Sequence, residues 1–288
     1  MNASTAWALD EGFRVLSYAF RIQTTSETCA ELVLRAIGAC RSPDVSSQAP
    51  TYQLEDGEEL SRLTLDGRMI LKNARRGNAF SFLVWQLMNN AVADARDVLV
   101  VHAGVVVAPD GKAVVLPAAS GGGKTTLTAG LVRAGFDYLS DEMMAVDPAT
   151  RRVLPVPRSL FVKPGTFEAL GIPRPKLSTA AERFLDGSWP VLPDDLRPGS
   201  LGSAAAVGTI IAPTYRLGSE TRIERVSRAA GLTYLAAQAF NLEIFGSPAG
   251  MLLLADVCRE AACYRLAVGR LDEAVGAVTD AVSGSGPA

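Results

Sequence analysis

One stretch of the chain has residue types and spacing that can do chemistry. From Ala118 to Thr126 it reads Ala-Ala-Ser-Gly-Gly-Gly-Lys-Thr-Thr. Three successive glycines before a lysine and a hydroxyl residue let backbone N–H groups turn inward around a phosphate. Ser120, Gly121, Gly122 and Gly123 would form the cradle, and Lys124 would reach the β- and γ-phosphates. Thr125 would ligate Mg2+ through its hydroxyl, and Thr126 belongs to the same nucleotide-contacting turn. The usual pattern has glycine where this chain has Ala118, a replacement tolerated only with φ below zero.

A site that handles nucleotide phosphates also needs acids. Asp141 and Glu142 follow the run Phe136–Ser140, a short step after Lys124. An acid at a strand end beside the glycine loop can hold Mg2+, directly or through water, or accept a hydroxyl proton. Two adjacent acids can divide those tasks; a solvated turn is the plainer reading of the same pair. Asp137, inside the run, reads as a surface residue. His102, the only histidine, ends another apolar run two residues before Gly104. Its position alone suits a structural hydrogen-bond partner or a catalytic one, and a lone histidine excludes a histidine-built metal site.

These residues need a scaffold, and the pattern around them supplies strand, loop and helix in the required order. Lys112–Pro117 is an apolar run suited to a buried strand, and Thr125–Arg133 reads as a helix with Leu127, Leu131 and Val132 on one side. Val98–His102 and Gly104–Ala108 are further strand-type runs, as are Phe136–Asp141 and Met143–Val146. Asp110-Gly111 marks a hairpin, so the sheet is expected to be mixed rather than purely parallel.

Residues 12–97 read as a small α+β unit. Phe13–Ile22 alternates as one half-buried strand would, with Leu16, Tyr18, Phe20 and Ile22 on one face. Thr28 with Glu31 is a capping-box signal for a helix running to about Gly38. Leu63–Leu71 is a hairpin turning at Asp66-Gly67. A helix over Asn78–Ala95 carries Phe80, Leu83, Val84, Leu87, Met88 and Val92 at helical spacing, a core stripe. Beyond the glycine loop, six prolines between Pro155 and Pro198 point to long loops at the edge of the domain. A buried strand over Ala205–Ala212 follows, then helices near Arg228–Phe240 and Ala249–Glu260. A strand over Cys263–Val268 and a helix over Leu271–Val282 come last, with a fraying end from Ser283 to Ala288. The expected division is residues 1–97 and 98–288.

Bulk properties narrow the partners. Hydrophobic residues make up 48% of the 288 and the formal net charge is −2, values of a globular protein with no bias toward nucleic acid or anionic membrane. Met1–Asp10 lacks a basic stretch followed by an apolar core, so no signal peptide is expected there. The four cysteines have no metal-type spacing and are too sparse for a disulfide framework. Reduced thiols and a cytoplasmic location are expected.

Taken together, His102-Ala-Gly104, Ala118–Thr125 and Ser140-Asp-Glu142 resemble the catalytic domain of the HPr kinase family, related in fold to the ATP-dependent phosphoenolpyruvate carboxykinases. The family pattern is a His-Gly pair at a strand end, a Gly-x-Ser-Gly-x-Gly-Lys-Ser/Thr loop, and a short step to an Asp-Asp pair. The match covers Val98–Val146 well and continues weakly to about Val278. Pro155–Pro164 and Gln238–Asn241 resemble the HPr-kinase-like proteins that accompany peptide-modifying gene sets, lasso-peptide kinases among them. The chain departs from the pattern at Ala118, at Glu142 in place of Asp, and in lacking the Arg-rich, Pro-Gly-containing loop of bacterial HPr kinases.

The resemblance implies an α/β fold of the P-loop, phosphoenolpyruvate-carboxykinase-like type with a mixed sheet, preceded by the small α+β unit. It implies ATP and Mg2+ as cofactors, with Lys124 and the loop amides on the phosphates. Thr125 would bind the metal, Asp141 would take the acceptor proton, Glu142 would help position the metal, and His102 would sit near the transferred phosphoryl. Arg216, Arg225 and Arg228 are the basic candidates for closing over the phosphates. The expected activity is phosphoryl transfer from ATP to a Ser or Thr hydroxyl of a peptide or small protein, with HPr itself a poor fit. A kinase for a small metabolite and a nucleotide-binding sensor or assembly module without turnover are the alternatives. The resemblance also implies self-association.

Overall fold

The computed structural model describes residues 6–57 and 60–284, apart from the side chain of Asn73. The first part of the chain runs β1 (Leu9–Val15), β2 (Tyr18–Thr24), α1 (Glu27–Ile37), β3 (Thr51–Asp56), β4 (Leu60–Leu65), β5 (Arg68–Arg75) and α2 (Arg76–Asp94). Its five strands form one sheet in sequence order, antiparallel except for the parallel β2–β3 pair. Phe13, Phe20, Ile22, Tyr52, Leu54 and Leu63 face the same core as the buried stripes of α1 and α2. That core does not stop at the end of α2. Val98, Val100, Met143, Ala145, Val156 and Phe184 belong to it as well.

The second part begins with β6 (Leu99–Val107), β7 (Ala113–Pro117), α3 (Lys124–Arg133), β8 (Asp137–Ser140), β9 (Met143–Val146) and β10 (Arg152–Leu154). Short elements follow: β11 (Leu160–Val162), α4 (Pro164–Leu170), α5 (Thr179–Glu182), β12 (Trp189–Val191) and α6 (Pro193–Leu196). The chain ends with β13 (Ala205–Tyr215), β14 (Arg222–Val226), α7 (Arg228–Ala236), α8 (Leu242–Phe245), α9 (Ser247–Cys258), β15 (Ala262–Val268) and α10 (Leu271–Val282). Eight strands form a sheet in the order β10-β9-β6-β7-β13-β15-β14, with β8 also on β6 and β10 reaching round to β13. The β7–β13 and β13–β15 pairs are parallel and the other pairs antiparallel. The architecture is mixed α/β with mixed sheets. Helices α7 and α9 pack on one face, and α3 and α10 on the other.

Strand β6 organises the centre. Alternation sends Leu99, Val101, Ala103, Val105 and Val107 into the α7–α9 core. On the opposite face Val100 joins the core of the first sheet and Val106 joins the α3–α10 core. His102 and Gly104 lie between those two apolar clusters, at the seam. A β-carbon on Gly104 would meet Thr128 Oγ1 of α3 at 2.5 Å, so glycine is what lets the helix lie directly on the strand.

Several sequence expectations need correction. Phe13–Ile22 is a hairpin, not one strand, because Leu16 turns the chain at φ +55 and brings Val15 opposite Tyr18. The α1 cap is Ser26, whose hydroxyl accepts from Cys29 N at 3.3 Å, rather than Thr28. The runs either side of Ala103 form one nine-residue strand, since Gly104 meets a helix rather than a turn. Strands β3, β10 and β14 had no counterpart in the pattern. The proline-rich stretch is not loop throughout but carries β11, α4, α5, β12 and α6. The expected helix past Arg228 ends at Ala236. Beyond it the chain runs beside β6, where His102 N donates to Gln238 O and Phe240 N to Val100 O, both at 2.8 Å. The Asp66-Gly67 and Asp110-Gly111 turns, the second long helix and the Leu271–Val282 helix are as expected. The fraying expected of the C-terminus concerns, for 285–288, residues outside those described, as does the N-terminal reading for 1–5. Among the described residues no helix is long and apolar enough to cross a membrane.

Candidate functional site

The glycine loop leaves the C-terminal end of β7 and enters α3. Gly121 and Gly123 have φ of +83 and +86, a conformation that side-chain-bearing residues adopt only with strain. Ala118 is not among the described non-glycine residues with positive φ, which are Leu16, Asp66 and Arg151, so the condition for tolerating it is met. Its β-carbon would lie 3.0 Å from one added to Gly122. Helix α3 starts at Lys124 with no side-chain cap on Gly123, which leaves its first N–H groups to an outside acceptor. Lys124 is buried and its Nζ donates to the carbonyls of Ala118 and Ala119 at 2.7 and 3.1 Å. Burial pulls its ammonium below the ordinary lysine value, against the opposing pull of Glu142 and Asp141.

On the other side of β6, strands β8 and β9 lie end to end. Strand β8 pairs with Val105–Val107 and β9 with Leu99–His102, so the ladder breaks at Asp141-Glu142, beside Ala103 and Gly104. Ala103 itself faces Pro117, the residue before the glycine loop. Glycine loop and acid step therefore flank the middle of one strand. The break is held by Ser140, whose hydroxyl accepts from Glu142 N and Met143 N at 3.2 and 3.0 Å.

The acids share an arginine that the sequence reading missed. Arg158 Nη2 lies 3.2 Å from Asp141 Oδ1 and 3.2 Å from Glu142 Oε2, in a side chain 6% exposed. Asp141 also accepts from the Thr125 hydroxyl at 3.4 Å and from the Tyr138 hydroxyl at 3.3 Å. Glu142 Oε1 lies 2.9 Å from His102 Nε2, and the imidazole packs against Phe240 with ring centres 5.2 Å apart. Burial raises Asp141 above the ordinary carboxylate value, outweighing Arg158. For Glu142 burial pushes the same way but loses to the His102 hydrogen bond and to the charges of Arg158 and Lys124, so its value falls. Arg158 is raised: burial disfavours its charge, and the two carboxylates more than restore it. The one sequence signal for Arg158 is a charged residue inside the apolar, proline-flanked run Leu154–Val162.

These groups open on a cavity of about 960 Å3. His102, Ser120, Gly121, Gly123, Lys124, Thr125, Thr126 and Glu142 line it. Two expected site residues do not reach its wall: Gly122, and Asp141, which is 1% exposed and sits behind Thr125 and Glu142. None of Arg216, Arg225 and Arg228 lines it either. Its other cations are Lys163, before α4, and Arg270, before α10. The proline-rich excursion forms one side through Phe161, Lys163, Gly165 and Thr166, and Thr166 Oγ1 touches Thr126 Oγ1 at 2.7 Å. Asp137 is half exposed and paired with Arg197, as a surface residue would be.

As a metal site the donor set is sparse. Among the described residues no group of three or more His, Cys, Asp or Glu is placed to hold an ion. The Thr125 hydroxyl and two carboxylates are hard oxygen donors that suit Mg2+, which keeps waters and substrate phosphates in its shell rather than an all-protein cage. The four cysteines are free and buried, as expected. No family model matches the chain, and no curated protein is significantly similar to it.

Proposed function

We propose that the chain is an ATP- and Mg2+-dependent kinase that phosphorylates a Ser or Thr hydroxyl of a peptide or small protein. In this reading its second part is a P-loop, HPr-kinase-like catalytic domain beginning near residue 98. The observation that carries the proposal is the meeting, across one strand, of an uncapped helix start bearing Lys124 with the Thr125–Asp141–Arg158–Glu142–His102 chain of contacts. The cavity is at the upper end of the roughly 300–1,000 Å3 range of small-molecule sites, which leaves room for an acceptor beside a nucleotide.

The loop amides and the start of α3 hold the phosphates, and Lys124 exchanges its loop carbonyls for phosphate oxygens. Thr125, with Asp141 behind it, would hold Mg2+, which would supply neutralisation of the phosphate charge. Proton removal falls to the acid nearer the acceptor. The sequence reading gave that task to Asp141 and metal positioning to Glu142; the geometry favours the reverse. Glu142 faces the cavity, ionised and hydrogen-bonded to His102, whereas Asp141 touches only protein groups. A loose transition state asks mainly for position and charge compensation, so a base of modest strength suffices. Reduced, buried thiols fit a cytoplasmic setting.

The test is transfer from γ-labelled ATP to serine- and threonine-containing peptides, with free amino acids and sugars as parallel acceptors. Label on peptide supports the proposal, and label on a free metabolite replaces the acceptor class. ATP binding with no transfer to any acceptor points to the non-catalytic module, and no ATP binding ends the kinase reading.

A further inference from the structure

We infer that the wall of the cavity built from Tyr215, Val268, Gly269 and Leu271 holds the base of the nucleotide, stacked on the Tyr215 ring. The inference rests on the reading of the Lys124 cavity as a nucleotide site and adds where the nucleoside lies and what recognises it. Strands β7, β13 and β15 are mutually parallel neighbours, so their C-terminal ends share one edge of the sheet. The glycine loop leaves β7 at that edge, and the last residues of β13 and β15, Tyr215 and Val268, are register partners there. The C-terminal edge of parallel strands is where open α/β sheets bind ligands.

Tyr215 is next to the phosphate loop. A β-carbon on Gly123 would lie 3.3 Å from Tyr215 Cβ, with Gly123 at φ +86. The ring is 48% exposed, and among the described residues it stacks on no other aromatic side chain. Tyr18, Tyr52 and Tyr138, by contrast, spend their hydroxyls on hydrogen bonds within the protein. The wall is also held in place. Arg216 N donates to Val268 O at 3.1 Å, and Gly269 N and Arg270 N both donate to Thr221 Oγ1 at 3.1 Å.

Charge divides the cavity the same way. Lys124 and the uncapped helix start lie at one end, and Lys163 lies on the side formed by Thr166, whose hydroxyl touches Thr126 in the first turn of α3. At the other, the one cation and one acid, Arg270 and Asp272, pair with each other at 2.9 Å beside apolar Val268 and Leu271. A ligand that is anionic at one end and a flat, uncharged aromatic ring at the other matches this arrangement. Stacking on an aromatic side chain is worth about 1–3 kcal/mol per base, roughly five- to 150-fold in affinity.

The experiment measures binding of ATP and of inorganic tripolyphosphate, each with Mg2+, to the native chain and to Tyr215→Ala, Tyr215→Phe and Lys124→Ala. The expected result is ATP binding at least about fivefold tighter than tripolyphosphate. That advantage is lost in Tyr215→Ala, kept in Tyr215→Phe, and tripolyphosphate binding is the same in all Tyr215 variants. Equal affinity for the two ligands, or an ATP advantage that survives Tyr215→Ala, overturns the base site and leaves the phosphate site standing. Neither ligand binding the native chain overturns both, as does binding of both undiminished in Lys124→Ala. A Tyr215→Ala chain that still binds tripolyphosphate normally is folded, so a specific loss of ATP cannot be ascribed to collapse.

Discussion

The glycine loop and the acid step reach the same cavity but are held by opposite means. The loop is local. Its shape comes from two glycines at positive φ, its lysine is anchored by carbonyls five and six residues back, and the helix it opens is its own continuation. The acid step is assembled from afar. Asp141 and Glu142 are fixed by His102 from another strand and by Arg158 from the segment that leads into β11. The lesson is that the loop half of the site can tolerate change around it, while the acid half depends on the packing of the three cores that meet at β6.

The largest effect expected is on the local half. On the proposed kinase reading, Lys124→Ala removes the ammonium anchored in the glycine loop and lowers the transfer rate by about 10²–10³-fold, the scale of losing one preorganised charge donor. Urea unfolding of the variant should match the native chain, because the carbonyls it releases, on half-buried Ala118 and exposed Ala119, lie where water entering the cavity can reach them. A variant that turns over normally would break the assignment of the loop. One that unfolds early would break the contrast, by showing that the loop too is part of the framework.

Arg158 tests the other half through stability. Replacing it with Met leaves the buried carboxylate of Asp141 and the cavity-facing one of Glu142 without the cation they share, and losses of about 3–5 kcal/mol are typical where a buried pair is broken from one side. Urea midpoints at pH 7 measure it, with Arg158→Lys as the partial rescue that keeps charge but cannot span both acids. If Arg158→Met unfolds at the native midpoint, the acid step is not held from afar and the comparison fails.

A third comparison separates the two acids. Glu142→Gln should lower kcat by about 10²-fold or more, the loss expected of a positioned base, with little change in Mg2+ requirement. Asp141→Asn should instead raise the Mg2+ concentration for half-maximal rate. Acid titration gives an independent sign. Glu142 has a lowered value in the folded chain, so it stabilises above its ordinary 4.5 and that contribution fades as pH falls through the folded value. Asp141 has a raised value, so its stabilisation is full below its ordinary 3.8 and is lost as pH rises through the folded value. As pH falls below 4.5, Glu142→Gln should therefore lose less stability than the native chain, and as pH falls towards 3.8, Asp141→Asn should lose more. Identical slopes would mean that the two carboxylates titrate as one unit.

The same contrast explains what was legible in the sequence. Lys124, Thr125 and the glycines could be read because a loop made of neighbours writes its geometry into consecutive residues. Asp141-Glu142 could be read as a strand end but not as a pair with an inner and an outer member, since that distinction depends on Thr125 and Glu142 standing between Asp141 and the cavity. Arg158 was hidden because nothing local marks a guanidinium whose partners are sixteen and seventeen residues away. Leu16 misled for a related reason. Alternation on both sides of a tight turn reads as one strand unless the turn residue is a glycine or asparagine, and here a leucine takes φ +55.

The smallest expected effect sharpens the local half most. Ala118 is the loop's departure from the usual glycine, and two outcomes of Ala118→Gly distinguish an adapted loop from a weakened one. With φ below zero and a β-carbon already accommodated against Gly122, alanine costs the folded loop nothing, whereas glycine adds freedom to the unfolded chain. The variant should lose about 0.4–1 kcal/mol of stability and bind ATP within about twofold of the native chain. A large gain in ATP affinity would mean that the Ala118 methyl crowds the cradle. Thermal melts and a nucleotide titration on the one variant decide it, and only an unchanged affinity with a slightly lower midpoint fits a loop whose neighbours have closed around alanine.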